Sequence, residues 1–405
     1  MNSDLLLATG MKSTIGIPAR AGNFLERRAE TRELLHRATR GHVLMLAPRR
    51  VGKTSLLYHL RDVPPQGWRC LLLSVEALAS EAQFVARLLA ALYEAQPSGG
   101  WLAHFGGSVR TALKNVDKIG LGPVYFRLAQ AVGEDWQAVG TTTLGVMKGL
   151  RNDTLVLVDE FPIFVRRLLA GPEGEPRTRL FLGWFRETRN ALGDDGRVHF
   201  VLSGSLGLDA VVRSVGMSAT INDLATYRLG PLSDDLAHRL LQGLAEGEKL
   251  PLTAALRKRM RSHVDWPIPF HLQLIFAEVL NRVKFRGRAL DEGLVDEAYA
   301  ALLSPRNRSH FEHWVERLDE PVLAPEERDL KRALLRAAAR DPNGLADSSI
   351  VQIRKKVAPD IAEEVILATL EHDGYLTRQG DRWRFASSLL RDWWLKWQMK
   401  SKSKI

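Results

Sequence analysis

The 405-residue sequence holds a single cysteine, Cys70. One thiol excludes a disulfide framework within the chain, and its place in the apolar run C-L-L-L marks it as packing rather than as a reactive group. No uninterrupted apolar stretch approaches the roughly 18 to 20 residues that a spanning helix needs. The opening M-N-S-D-L-L-L-A-T-G has too short an apolar run and no basic lead-in for a signal peptide, so the expected compartment is the cytoplasm. The 11 histidines show no ligand spacing, which argues against a structural zinc. No repeat of fixed period occurs, and the only biased segment is the short basic tail K-S-K-S-K.

Acid is the scarcer charge. Lysine and arginine number 57 against 47 aspartates and glutamates, a formal net charge of +10. Most of that excess is arginine, which favours phosphate-bearing partners through bidentate hydrogen bonds. Nucleic acid fits this balance, and so does a nucleotide pocket on a protein with a solvated basic surface. At 45% hydrophobic and 26% charged, the composition is that of a soluble globular protein and excludes a disordered or collagen-like chain. The length implies two or three domains.

Residues 1–22 lack periodicity and read as an arm. A helical pattern starts at Phe24, and Gly41 ends it. H-V-L-M-L-A (42–47), C-L-L-L-S-V (70–75), T-L-V-L-V-D-E (154–160) and V-H-F-V-L-S-G-S (198–205) are short apolar runs of the kind found in parallel strands buried on both faces. Helical patterns separate them. The hardest stretch, 95–130, offers two short strands around I-G-L-G-P-V-Y-F. Strands alternating with helices indicate a parallel sheet covered on both sides. After Leu229-Gly230-Pro231 only helices follow to about 320. The segment from about 326 to 400 then has three helical patterns, two short strands around Gln379-Gly380-Asp381, and a Trp-rich helix, which together read as a winged helix.

Two motifs carry chemistry. Residues 47–55, Ala47, Pro48, Arg49, Arg50, Val51, Gly52, Lys53, Thr54 and Ser55, match the phosphate loop G-x-x-x-x-G-K-[ST] except that Ala47 replaces the first glycine. Gly52 allows the tight turn that brings backbone N–H groups to the phosphates. Lys53 reaches the β- and γ-phosphates of ATP, and Thr54 places its hydroxyl on Mg²⁺. The loop follows a strand and opens a helix, the context such a match requires. The second motif ends the third strand. Asp159 is placed to hold Mg²⁺ and Glu160 to act as general base toward water. About 105 residues separate it from Lys53, room for another strand, C-L-L-L-S-V, between the motifs.

Ser203 and Ser205 end the fourth strand, where a hydroxyl either reports the γ-phosphate or simply terminates a strand. Arg213, one helix on, is either an arginine finger or a surface ion pair. The run R-K-R-M-R at 257–261 is a phosphate contact or a solvated helix face, and Trp393, Trp394 and Trp397 are core or a stacking platform.

With these residues assembled, the chain resembles the AAA+/STAND group of P-loop NTPases, most closely the archaeal-ATPase-like family. The resemblance rests on F-x-x-R-x-x-E (Phe24, Arg27, Glu30), P-R-R-V-G-K-T-S-L, the D-E ending, a serine-bearing strand followed by Pro231-Leu232-Ser233, and an element near Pro269 and Gln273. Pro267 stands where that element usually has glycine. The resemblance implies an α/β P-loop core with helices on both faces of a parallel sheet, then a helical lid, then a winged helix, with ATP and Mg²⁺ as cofactors and Pro269 near the nucleotide. The expected boundaries are arm 1–22, core 23–230, lid 231–320, winged helix 321–400 and tail 401–405.

The implied function is an ATP-hydrolysing switch that couples nucleotide state to oligomerisation or to recruitment of a protein partner. Two alternatives stand beside it: a DNA-associated ATPase of origin-binding or transposition-regulator type, and a nucleotide-locked signalling or phage-defence sensor. For DNA, Arg354, Lys355, Lys356, Arg378, Arg382 and Arg384 are the candidate phosphate contacts. The third helix of the winged segment, with Asp360, Glu363, Glu364, Glu371 and Asp373 and no lysine or arginine, would repel phosphate.

Overall fold

An apolar run with no polar side must be covered on both faces, so the runs in this chain pair with one another inside a helical shell. The computed structural model describes residues 10–97, 100–114, 121–193, 196–204, 208–319 and 324–398. It divides into two compact units, one made of Arg27–Ala47 and Lys53–Leu229, the other of Met1–Glu26, Pro48–Gly52 and Gly230–Ile405.

The first unit is built on five parallel strands: β1 (His42–Leu46), β2 (Trp68–Ser74), β3 (Asp153–Asp159), β4 (Val198–Gly204) and β5 (Leu224–Arg228), in the order β2-β3-β4-β1-β5. Six consecutive residues of β3 are buried, and since neighbours point to opposite faces, both faces are covered. A cluster of aromatic rings packs there within a mainly aliphatic core. Phe84 on the helix Glu81–Ala95 meets Phe164 at 5.3 Å and Phe181 at 5.2 Å, and Phe185 meets Phe200 of β4 edge-on at 5.1 Å. At the start of β1, His42 is buried as a neutral ring. Its Nδ1 accepts from the Phe200 N–H at 3.1 Å, so its Nε2 donates to the Arg189 carbonyl at 3.0 Å, and burial lowers its pKa.

The structure departs from the sequence expectations at three places. β5 was not anticipated: only Leu224 and Tyr227 of its five residues are buried, so this edge strand has no continuous apolar run to announce it. The strands expected around I-G-L-G-P-V-Y-F are absent among the described residues, because Leu121–Val132 is a helix. The helical pattern read from Phe24 begins at Arg28 instead, after a short 3₁₀ turn at Ala21–Asn23.

The second unit holds the helices Asp234–Glu248, Ala254–His263, Pro269–Arg286, Glu292–Leu302 and Ser309–Leu318. Ser233, Thr253 and Asp291 cap three of them by accepting from the N–H three residues on. Then follow the helix Pro325–Arg340, β6 (Leu345–Ala346), the helices Asp347–Val357 and Glu363–His372, β7 (Leu376–Gln379), β8 (Arg382–Phe385) and a last helix, Ser388–Trp397. The three strands form an antiparallel sheet in the order β6-β8-β7. Trp393 and Trp394 are buried and Trp397 donates to the Leu303 carbonyl, so the tryptophans are packing. The early segment is fastened to this unit: the Met11 N–H donates to the Gly243 carbonyl at 2.8 Å and the Thr14 N–H to Gln273 Oε1 at 2.6 Å.

Gly204, the last residue of β4, lies against the ring of Pro162, where an added Cβ would sit 2.3 Å from Cδ. Gly145, inside the helix Trp136–Lys148, has open space around it. Gly204→Ala is therefore expected to lower stability by about 2 kcal/mol through overpacking, while Gly145→Ala raises it by up to about 1 kcal/mol. Urea unfolding of both variants checks the pair, and equal effects would contradict the packing described.

Candidate functional site

Because every strand of the large sheet is parallel, all their carboxyl ends share one edge. β3 delivers Asp159 there, β4 delivers Ser203, and the helix Lys53–Asp62, which starts after β1, delivers Lys53 and Thr54. Thr54 Oγ1 donates to Asp159 Oδ2 at 2.7 Å, and Ser203 Oγ donates to Asp159 Oδ1 at 2.8 Å. Lys53 Nζ lies 2.7 Å from Glu160 Oε1 and 3.8 Å from Asp159 Oδ1. Lys53 is 6% exposed and Asp159 5%, so this charge pair is held largely out of water.

Glu160 has φ +59 and ψ +37, the left-handed region, which costs a non-glycine residue about 1–3 kcal/mol. It directly precedes the helix Phe161–Ala170, where Pro162 occupies the first turn. The strand lying between β1 and β3 in the sheet is β4, whereas C-L-L-L-S-V forms β2 at the outer edge. In chain order β2 does lie between the two motifs, as the spacing allows.

The donor set is an ammonium, two hydroxyls and two carboxylates. Hydroxyl and carboxylate oxygens are the hard donors that suit Mg²⁺, and the ammonium suits phosphate. Ser55, half-buried, follows in the same helical turn, and Ala47, 1% exposed, is packed after β1. Ser205 lies outside the described residues. Arg213 is exposed in the last turn of the helix Leu208–Ser214 and is not part of the Asp159 cluster.

Pro48–Gly52 belong to the other unit, and there the loop is held by side chains that sequence reasoning did not single out. Arg50 has φ +65 and Gly52 φ +100. The Arg50 guanidinium lies 4.7 Å from the centroid of the Phe270 ring, and its Nη1 donates to the Gly16 carbonyl at 3.2 Å. Pro269 Cγ is 3.8 Å from where a Cβ on Gly52 would stand, so the two expected site residues are neighbours. Rings crowd this side: Phe270 is 6.2 Å from both His310 and His313, and His313 is 3.9 Å from Trp314. Burial, then Arg50 and Arg49, pushes the His313 pKa down to about 2, and burial alone takes His271 down to about 3.

The basic residues proposed for DNA are largely engaged within the chain. Arg354 pairs with Glu363 at 2.7 Å and Arg378 with Asp347 at 3.1 Å. Arg382 donates to the Gly344 carbonyl at 2.7 Å and Arg384 to the Asn343 carbonyl at 3.0 Å. Lys355 and Lys356 are exposed. In the R-K-R-M-R run, Arg259 is bound to Asp296 and Arg261 to Asp234. Of the F-x-x-R-x-x-E residues, Arg27 is buried and pairs with Glu30 at 3.0 Å, a structural pairing.

Among solved structures the chain is similar to the Walker-type ATPase PABY2304 of Pyrococcus abyssi, at 17% identity and a TM-score of 0.59, over 93% of this chain and 97% of that one. The two share a fold. The P-loop α/β architecture expected from the sequence, a parallel sheet inside helices followed by further helices, is therefore present. A second similar structure is the ORC2 protein of Aeropyrum pernix in its ADPNP–ADP complexes, at 13% identity and a TM-score of 0.48, over 92% of each chain. No family model matches the sequence, and no curated protein does. Among the described residues no helix is long and apolar enough to cross a membrane.

His271 and His313 are neutral in the folded chain and take up a proton near pH 6.5 once unfolded, so the unfolded state gains protons first as pH falls. Their contribution is complete above about pH 6.5 and is lost progressively below it, by about 2 kcal/mol per histidine between pH 7 and 5. Urea unfolding across that range is expected to show the fall, and His313→Phe to reduce it. A free energy flat from pH 7 to 5 would contradict the burial of these rings.

Proposed function

We propose that the protein is an ATP-binding and ATP-hydrolysing molecular switch of the AAA+/STAND type, resembling the archaeal-ATPase-like family, whose nucleotide state governs oligomerisation or the recruitment of a protein partner. The observation that carries this reading is the convergence on Asp159: hydroxyls from two different elements hold its two oxygens, and Lys53 sits between it and Glu160. Thr54 and Asp159 would hold Mg²⁺, which when bound neutralises charge on the phosphate oxygens. Lys53 binds the β- and γ-phosphates, and a phosphate oxygen is a more charged acceptor than the carboxylate it leaves. Glu160, freed of that partner, accepts a proton from the attacking water. Ser203 keeps Asp159 in one rotamer, and Arg50 to Gly52 supply the turn in which backbone N–H groups approach phosphate.

In this reading residues 231–320 are a helical lid, 321–400 a winged helix, and the compartment is the cytoplasm. A partner protein suits the winged segment better than DNA does. Its third helix, Glu363–His372, carries Glu363, Glu364 and Glu371, and the arginines on neighbouring elements are bound to Asp347, Glu363 and backbone carbonyls.

Two substitutions separate binding from chemistry. Lys53→Ala is expected to abolish ATP binding, and Glu160→Gln to retain it while slowing hydrolysis by about 100-fold. Equilibrium binding and phosphate release measure the two. Wild-type hydrolysis by the Glu160→Gln protein removes the general-base assignment, and wild-type binding by Lys53→Ala removes the site.

A further inference from the structure

Three cations, Arg49, Arg50 and Lys53, stand in the phosphate loop, and the fold commits Arg50 elsewhere. The Arg50 guanidinium is stacked 4.7 Å from the centre of the Phe270 ring and donates to the Gly16 carbonyl at 3.2 Å. Burial and the neighbouring Arg49 lower its pKa, in keeping with a guanidinium drawn off the surface. The same residue carries the loop's strained backbone, at φ +65, two positions before Gly52 at φ +100. A non-glycine residue stays in that region only where its surroundings over-determine it. Here the surroundings are an aromatic face on the helix Pro269–Arg286 and a carbonyl of the early segment, both acting on the side chain rather than on the backbone it fixes.

We propose that Arg50 is a positioning residue for nucleotide binding: stacked on Phe270 and bonded to the Gly16 carbonyl, it holds the Arg50–Gly52 turn in the shape that receives phosphate and does not touch phosphate itself. This rests on the ATP reading above. A loop shaped in advance spares the ligand the entropy of ordering it. The clamp therefore acts on the affinity for nucleotide and leaves the chemical step alone.

The test compares the full-length wild type with Arg50→Ala, Arg50→Lys, Phe270→Leu and the Arg50→Ala/Phe270→Leu double variant. The readouts are equilibrium binding of a non-hydrolysable ATP analogue with Mg²⁺ and steady-state turnover. Arg50→Ala and Phe270→Leu are each expected to weaken binding by about tenfold, with kcat within about twofold of wild type. The double variant should be no weaker than the worse single one, because both remove the same contact. Arg50→Lys should recover part of the loss, since an ammonium also stacks on a ring.

Unchanged binding by Arg50→Ala overturns the proposal. So do losses that multiply in the double variant, or a fall in kcat equal to the fall in kcat/KM, which would put Arg50 on the phosphates. Thermal unfolding checks that each variant is folded, and if Arg50→Ala is not, Phe270→Leu and Arg50→Lys decide by the same criteria. A wild-type protein that binds no nucleotide overturns the ATP reading before any substitution is compared, and this inference with it.

Discussion

A carboxylate whose two oxygens each accept from a hydroxyl on a different element is confined to one rotamer, and Asp159 is so confined by Thr54 and Ser203. The rest of the site follows from that restraint. It ties the end of β3 to the end of β4 and to the first turn of the helix after β1. Only a parallel sheet brings those three termini to one edge. Glu160 follows with a left-handed backbone, and its carboxylate meets the same ammonium, Lys53, that Asp159 faces. The helix that leaves at once brings Pro162 onto Gly204, directly after Ser203, where no side chain would fit. The left-handed backbone at Glu160 and the glycine at 204 both adjoin this placement.

The positive charge of the chain has a more ordinary disposition than its size suggests. Arginines whose spacing invites a nucleic-acid reading are joined to carboxylates or carbonyls of their own unit: Arg259 to Asp296, Arg378 to Asp347, Arg384 to Asn343. Exposed pairs of this kind add about 0–1 kcal/mol each. Their consequence here is for recognition, since a guanidinium already bound must break that bond before it can grip a phosphate. Inside the phosphate loop Arg50 follows the same habit, with an aromatic ring in place of a carboxylate.

Much of this was legible in the order of residues. Continuous apolar runs announce strands buried on both faces, and four of the five strands in the large sheet are of that kind. Lys53, Thr54, Asp159, Glu160 and Ser203 were marked by type and by position at strand or helix ends, and the fold brings all five together. Edge and crossing information was not legible. β5 is half-exposed and so lacks the run, and the position of β2 at the margin depends on how the chain crosses, which no local pattern encodes. Phe270 under Arg50 was equally hidden, because about 220 residues separate them and an aromatic in a helix reads as core.

In the proposed function the oxygens around Asp159 serve Mg²⁺ and nucleotide together. Equilibrium binding of ATP to the wild-type chain and to Thr54→Ala, each with Mg²⁺ and with a chelator, tests this most directly. Mg²⁺ is expected to tighten binding to the wild type by about tenfold or more, and Thr54→Ala to lose this gain. ATP affinity that is the same with Mg²⁺ and with chelator in the wild type would contradict it.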